Sequence, residues 1–208
     1  MLHNDYLSLS ARTAAQFENG MTMNSRQTDL LHATAGMVTE AGEILEVITS
    51  SWMHDSPINS VHLCEEIGDY VWYLAMALRT TDSSFDHVST LLQDFPVNSH
   101  AKNPYAKRML CAMRLSSCTA ECLDAIKKKL MYSKPVNYDA FALMLSEQYT
   151  YINTLATLEG TDLPTIMAAN IAKLQARYPD KFTNDNAINR DVEAEKAAMK
   201  LAEDITCA

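Results

Sequence analysis

The scarcity of chain-breaking residues constrains this fold more than any other feature. Gly (5) and Pro (6) supply only 11 of 208 positions, well below ordinary usage. A sandwich or barrel needs turn residues about every 8–12 positions, and this chain does not have them. Apolar side chains instead recur at three- and four-residue intervals, which predicts helices. The pattern predicts an all-α protein with helices over roughly 5–19, 25–53 and 59–79. A short helix ends near Phe95-Pro96, and others follow over about 105–132, 138–158 and 163–178. Ser25, then Asn59 or Ser60, then Asp162 stand where N-caps are needed, with Pro164 in the first turn after Asp162. Residues 97–104 read as a linker, and the tail from Ala187 to about Asp204 reads as a solvated helix.

The breaks occur twice in the same order. Shifted by 78 residues, Glu43-Ile44-Leu45-Glu46 falls on Glu121-Cys122-Leu123-Asp124, Pro57 on Pro135 and Asn59 on Asn137. With two residues inserted, Thr81-Asp82 falls on Thr161-Asp162. This predicts a tandem duplication, two degenerate helical halves packed as an internal pseudo-dimer. The expected division is 1–100, 101–182 and a helical tail over 183–208.

Charge divides along the same line. Residues 1–100 carry 13 acidic and three basic side chains (Arg12, Arg26, Arg79), and residues 101–208 carry 13 acidic and 14 basic. An acidic chain is poorly suited to duplex binding, which rests on Lys and Arg at phosphates, so no nucleic-acid partner is expected. The 48% hydrophobic content argues against disorder. The longest strongly apolar stretch, about Val71–Leu78, is too short to span a bilayer, and no leader peptide is evident. Five cysteines without a CxxC pair fit a reducing compartment. A cytoplasmic location, and the host cytoplasm for a viral chain, is the expectation.

The acidic half has a chemical focus. Glu40 and Glu43 are spaced i, i+3 on one predicted helix, and Glu66 and Asp69 are spaced likewise on the next. Each pair therefore shares a helix face. A hairpin about Pro57 would oppose the two pairs, and like charges brought together amid apolar neighbours need a cation. Oxygen-only donors favour Mg²⁺, with Mn²⁺ as a substitute. Glu46, one turn past Glu43, is either a further ligand or a partner to one. Glu65 is expected to face away. His32, Gly36 and Glu40 share a face, and the small Gly36 would leave room for a ligand. His32 is either a ligand-contacting residue or an ordinary core or surface histidine. Trp52 and Trp72 are either core residues or stacking platforms.

These motifs carry a resemblance. Glu40-Ala-Gly-Glu43 followed by Glu66-Ile-Gly-Asp69 resembles the E-x-x-E…E-x-x-D signature of the MazG-like, all-α nucleotide pyrophosphohydrolases. Downstream, Asn170-Ile-Ala-Lys173-Leu-Gln-Ala-Arg177-Tyr178-Pro179 resembles the N-x-x-K-L-x-x-R-Y-P element of many members, phage proteins among them. The likeness covers about residues 25–80 and 160–195. It implies a MazG-like helical bundle and hydrolysis of a nucleoside triphosphate, with a dNTP the expected substrate, to monophosphate and pyrophosphate. Its use would be pool control or house-cleaning. By motif, Glu40, Glu43, Glu66 and Asp69 would hold Mg²⁺. Asn170, Lys173 and Arg177 would grip phosphates, with Lys173 neutralising growing charge.

Family members usually dimerise. Here Cys118, Ser146 and Tyr149 are expected opposite Glu40, Glu66 and Asp69, while Thr90 and Gln93 stand opposite Asn170 and Lys173. Duplicated, dimeric dUTPase-type relatives provide an analogy for one composite site per chain, with acids from one half and bases from the other. Lys134, next to the Pro135 break, is a further phosphate candidate, and Lys127-Lys128-Lys129 reads as a solvated helix end. One chain could suffice, or two could pair as a homodimer. The alternative is a non-catalytic helical nucleotide-binding or interaction module that keeps the fold alone. A di-iron bundle would want Glu-x-x-His, and no glutamate here has His at i+3.

Overall fold

A computed structural model describes residues 23–91 and 103–199. Among these residues the protein is all-α, 81% helical in eight helices with no strand. They are α1 (Ser25–Met53), α2 (Ser60–Thr80), α3 (Phe85–Leu91), α4 (Pro104–Tyr132), α5 (Tyr138–Leu158), α6 (Leu163–Arg177), α7 (Asn184–Ile188) and α8 (Val192–Met199). The helix expected over 5–19 and most of the 97–104 linker lie outside the described residues.

The caps explain the boundaries. Asn24, not Ser25, caps α1, and it does so reciprocally. Its Oδ1 accepts from the Gln27 N–H while Gln27 Oε1 accepts from the Asn24 N–H, at 2.9 and 3.0 Å. Asn59, Asn103, Asn137 and Asp162 cap α2, α4, α5 and α6 in the same i, i+3 manner. Helices α1 and α4 each have 29 residues, and α2 and α5 each have 21.

Left-handed residues end α1 and α4 at Asp55 and Ser133, and they follow α2 and α5 at Asp82 and Gly160. Each pair is 78 apart, as are the starts of α3 and α6 at Phe85 and Leu163. The correspondence therefore runs without the two-residue insertion that the Thr-Asp match required. It pairs Glu66 with Met144 and Asp69 with Glu147, not with Ser146 and Tyr149. It also moves the partners of Asn170 and Lys173 from Thr90 and Gln93 to positions outside the described residues.

One connected apolar cluster runs from Leu30 to Met199. Helix α1 packs on α2 and on α4, and α4 packs on α5. The shorter helices cross over: α3 lies on α5 and α6 lies on α2. At the centre Tyr70 Oη donates to Gln148 Oε1 at 2.6 Å and meets Thr119 Oγ1 at 2.8 Å, all three buried. Tyr70 and Gln148 are themselves 78 apart.

The tail differs from the expected solvated helix. A break at 189–191 divides it into α7 and α8, and α8 packs on α6 with Glu195 and Met199 buried. A charged residue is buried there because two arginines meet it, as described below. Among the described residues no helix is long and apolar enough to cross a membrane.

Candidate functional site

Helices α1 and α2 form the hairpin that the i, i+3 carboxylates required. One oxygen each of Glu40, Glu43 and Glu66 lies within 4.8 Å of the others. The fourth carboxylate, Asp69, is not in that trio. It accepts from Lys173 Nζ at 2.7 and 2.6 Å and from Asn170 Nδ2 at 2.7 Å. So α6 brings the expected phosphate-binding pair onto the acidic face from about a hundred residues away. Its close approach has a local cause at Gly68, where a Cβ would sit 3.1 Å from the Asn170 Cβ.

The electrostatics follow from the crowding. Burial, then Glu43 and Asp69, push the Glu40 carboxyl up to about 7, and Lys173 opposes them. Burial, then the neighbouring Glu43 carboxylate, push Glu66 up to about 8. Lys173 is only 1% exposed, and a buried ammonium needs its counter-charges. Asp69 supplies one, and Glu65 supplies another at 3.5 Å. Glu65 thus reaches the site's lysine, contrary to the expectation that it faces away. An α6 crossing α2 is a tertiary fact, and the helix-face reading of α2 alone did not contain it.

Two clefts flank the carboxylates and share Glu43. One, about 360 Å³, is lined by Glu40 and Asp69 with His32, Trp72, Tyr73, Arg177 and Arg190. The other, about 440 Å³, holds Glu46, Ser50, Asn59, His62 and Glu66. Glu46 therefore lines a cleft beside the trio without belonging to it.

His32 is exposed and stands edge-on to Tyr73 and Trp72, with ring centroids 5.6 and 6.4 Å apart. The space expected beside Gly36 is not open to a ligand. A Cβ there would lie 2.3 Å from the Tyr73 ring, which occupies it. Trp72 is half-buried at the cleft, whereas Trp52, 68% exposed, lines a separate depression with Tyr105 and Arg108.

Three functional candidates escaped the sequence reading. His62 Nδ1 is 3.3 Å from Glu66 Oε1, an i, i+4 pair that the spacing does contain. Arg190 lines the cleft beside Arg177, and Glu195 engages both. Arg177 donates to Glu195 from Nε at 2.9 Å and Nη2 at 2.7 Å. Arg190 does so from Nε at 3.3 Å and Nη2 at 2.6 Å. Burial works against the Glu195 charge, but these hydrogen bonds override it and hold the carboxyl at about 2.

Lys134 is not brought to this cleft. It lines a smaller depression with Glu121, Asp124 and Lys128, and both Lys127 and Lys128 pair with Asp124. The positions 78 beyond Gly36, Asp69 and Tyr73 are Arg114, Glu147 and Tyr151. There Arg114 Nη2 meets Glu147 Oε1 at 2.7 Å, and Tyr151 donates to the same carboxylate at 2.9 Å. The Arg114 side chain there is about half exposed, and Glu147 also meets the buried thiol of Cys118.

Comparison with protein-family models, with curated proteins and with solved structures finds no match to this chain.

Proposed function

We propose that this protein is a Mg²⁺-dependent nucleoside triphosphate pyrophosphohydrolase, converting a (d)NTP and water to the monophosphate and pyrophosphate. One observation carries the reading. Three carboxylates crowd within 4.8 Å beside a buried lysine and asparagine held on Asp69. Anionic phosphate and a hard cation are the partners that such a pair of walls accommodates together. The resemblance of the Glu40–Asp69 and Asn170–Pro179 elements to MazG-like enzymes gives the reading its reaction.

The donor set fits the cation. Glu40 and Glu66 are oxygen ligands whose charge is disfavoured by burial and by the Glu43 carboxylate, and a divalent ion offsets both penalties. Glu40, Glu43 and Glu66 would hold it, with Asp69 joining them when Lys173 turns to phosphate. Bound there, Mg²⁺ or Mn²⁺ neutralises phosphoryl oxygens and orients them. Lys173 and Asn170 bind phosphate oxygens and meet growing charge, and Arg177 extends that wall. A carboxylate of the cluster accepts the proton of the attacking water. His32, Trp72 and Tyr73 border the space left for the base.

The same reading includes the fold's history. Equal lengths of the long helices, left-handed residues 78 apart and crossed short helices support a tandem duplication folded as a MazG-like pseudo-dimer with one composite site. A cytoplasmic setting suits a nucleotide substrate. The test is release of pyrophosphate from a panel of canonical and modified dNTPs with Mg²⁺ or Mn²⁺. Activity that requires the metal and disappears in Glu43→Ala supports the enzyme. Absent release rejects it in favour of a nucleotide-binding module, and metal-independent release rejects the Mg²⁺ dependence.

A further inference from the structure

Helix α8 lies past the Asn170–Pro179 motif, yet it sends a buried carboxylate to two arginines that line the cleft. Glu195 is 2% exposed and binds Arg177 and Arg190 together. Holding α8 to α6 would need only the Arg177 pair. The second arginine comes from the break between α7 and α8, keeps 41% of its side chain exposed, and lines the same cleft as Glu40 and Asp69. Two guanidiniums this close repel each other, and one shared carboxylate fixes both. Each gives Glu195 its Nε and Nη2 edge, so its remaining N–H donors point away from Glu195. Glu195 and its two arginines keep one net positive charge at the cleft that Glu40, Glu43 and Asp69 also line.

We propose that Glu195 is a positioning residue that sets Arg177 and Arg190 as a paired clamp for the outer phosphates of a polyphosphate ligand. The inference rests on the triphosphate reading and names the part of the substrate that the tail serves. Guanidinium pairs match phosphate oxygens in fork geometry, and the clamp acts only while Glu195 holds both side chains.

The test uses the full chain and two probes, inorganic tripolyphosphate with Mg²⁺ present and Mn²⁺ alone, each titrated by calorimetry. Glu195→Ala is expected to weaken tripolyphosphate binding by about tenfold or more and to leave Mn²⁺ affinity at the wild-type value. KM for a dNTP rises in parallel and kcat changes less. Glu195→Gln, which keeps one acceptor oxygen, is expected to fall between the two. If Glu195→Ala does not fold, Arg190→Ala carries the test, because the clamp requires the same weakening there. A folded Glu195→Ala or Arg190→Ala variant with wild-type tripolyphosphate affinity overturns the clamp and leaves Glu195 as glue between α6 and α8. A wild-type chain that ignores tripolyphosphate overturns it as well. A wild-type chain that binds tripolyphosphate but releases no pyrophosphate from any dNTP rejects the enzymatic reading and leaves the clamp standing.

Discussion

Lys173 Nζ lies 2.6 Å from Asp69 Oδ2, across 104 positions of sequence. The pair joins the acidic face of α2 to the basic face of α6. It also sets up an exchange, because Lys173 holds the carboxylate that a cation would want, and Asp69 holds the ammonium that a phosphate would want. Substrate and metal arriving together would release both.

Replacing Lys173 with Met keeps the buried stem and removes the charge. Asp69 is partly exposed and can be rehydrated, so the fold is expected to survive. Pyrophosphate release is expected to drop by about a hundredfold, the scale seen when one charge-stabilising donor is lost. Steady-state kinetics of a folded Lys173→Met variant check this, and wild-type turnover would refute the composite site.

Glu66→Gln separates charge crowding from metal binding. Above about pH 8, where Glu66 is ionised, and without divalent ions, the substitution relieves repulsion among the three carboxylates, so the melting temperature is expected to rise there. Mn²⁺ is expected to raise the wild-type melting temperature by mass action, and that rise is expected to vanish in the variant. Calorimetric scans of both proteins with and without Mn²⁺ decide it.

The same crowding sets a pH dependence. Glu40 and Glu66 have folded values of about 7 and 8, above the ordinary 4.5. The folded state therefore holds more protons than the unfolded state between about pH 4.5 and 8, and metal-free stability falls as pH rises through that window. Cation binding needs the ionised forms, so the stabilisation by Mn²⁺ is expected to grow over the same window and to release protons. Glu195 acts at the acid end. Its value of about 2 gives stability that is present above 4.5 and lost as pH falls toward 2. Melting temperatures against pH, with and without Mn²⁺, read all three trends.

Tyr70→Phe removes the hydroxyl shared by Gln148 and Thr119. Both partners are buried, and an unmet buried polar group costs about 1–3 kcal/mol. Urea titration is expected to register that loss with an unchanged slope.

Much of the architecture was legible because it is local. Asparagines before apolar periodicity mark helix starts, and Pro57 and Pro135 mark the hairpins. The Glu40–Asp69 spacing needed only helix geometry to place four acids on facing surfaces, and the motif resemblance added Asn170 and Lys173 as their opposite wall. What stayed hidden depends on crossings. Glu65 meets Lys173 only because α6 lies over α2, and Glu195 is buried only because α8 folds back on α6. The register misled because Thr81-Asp82 and Thr161-Asp162 share letters but not places. Asp82 and Gly160 are the residues with matching left-handed backbones.

The crossed packing of α3 on α5 and α6 on α2 bears on how such a chain can be divided. Neither 23–91 nor 103–199 alone covers the apolar faces of its own helices, for each lends its shorter helix to the other's core. Cut between Leu91 and Asn103, the two pieces would be incomplete separately and complementary when mixed. Activity would reappear only on reassociation, so this protein is a natural subject for fragment complementation.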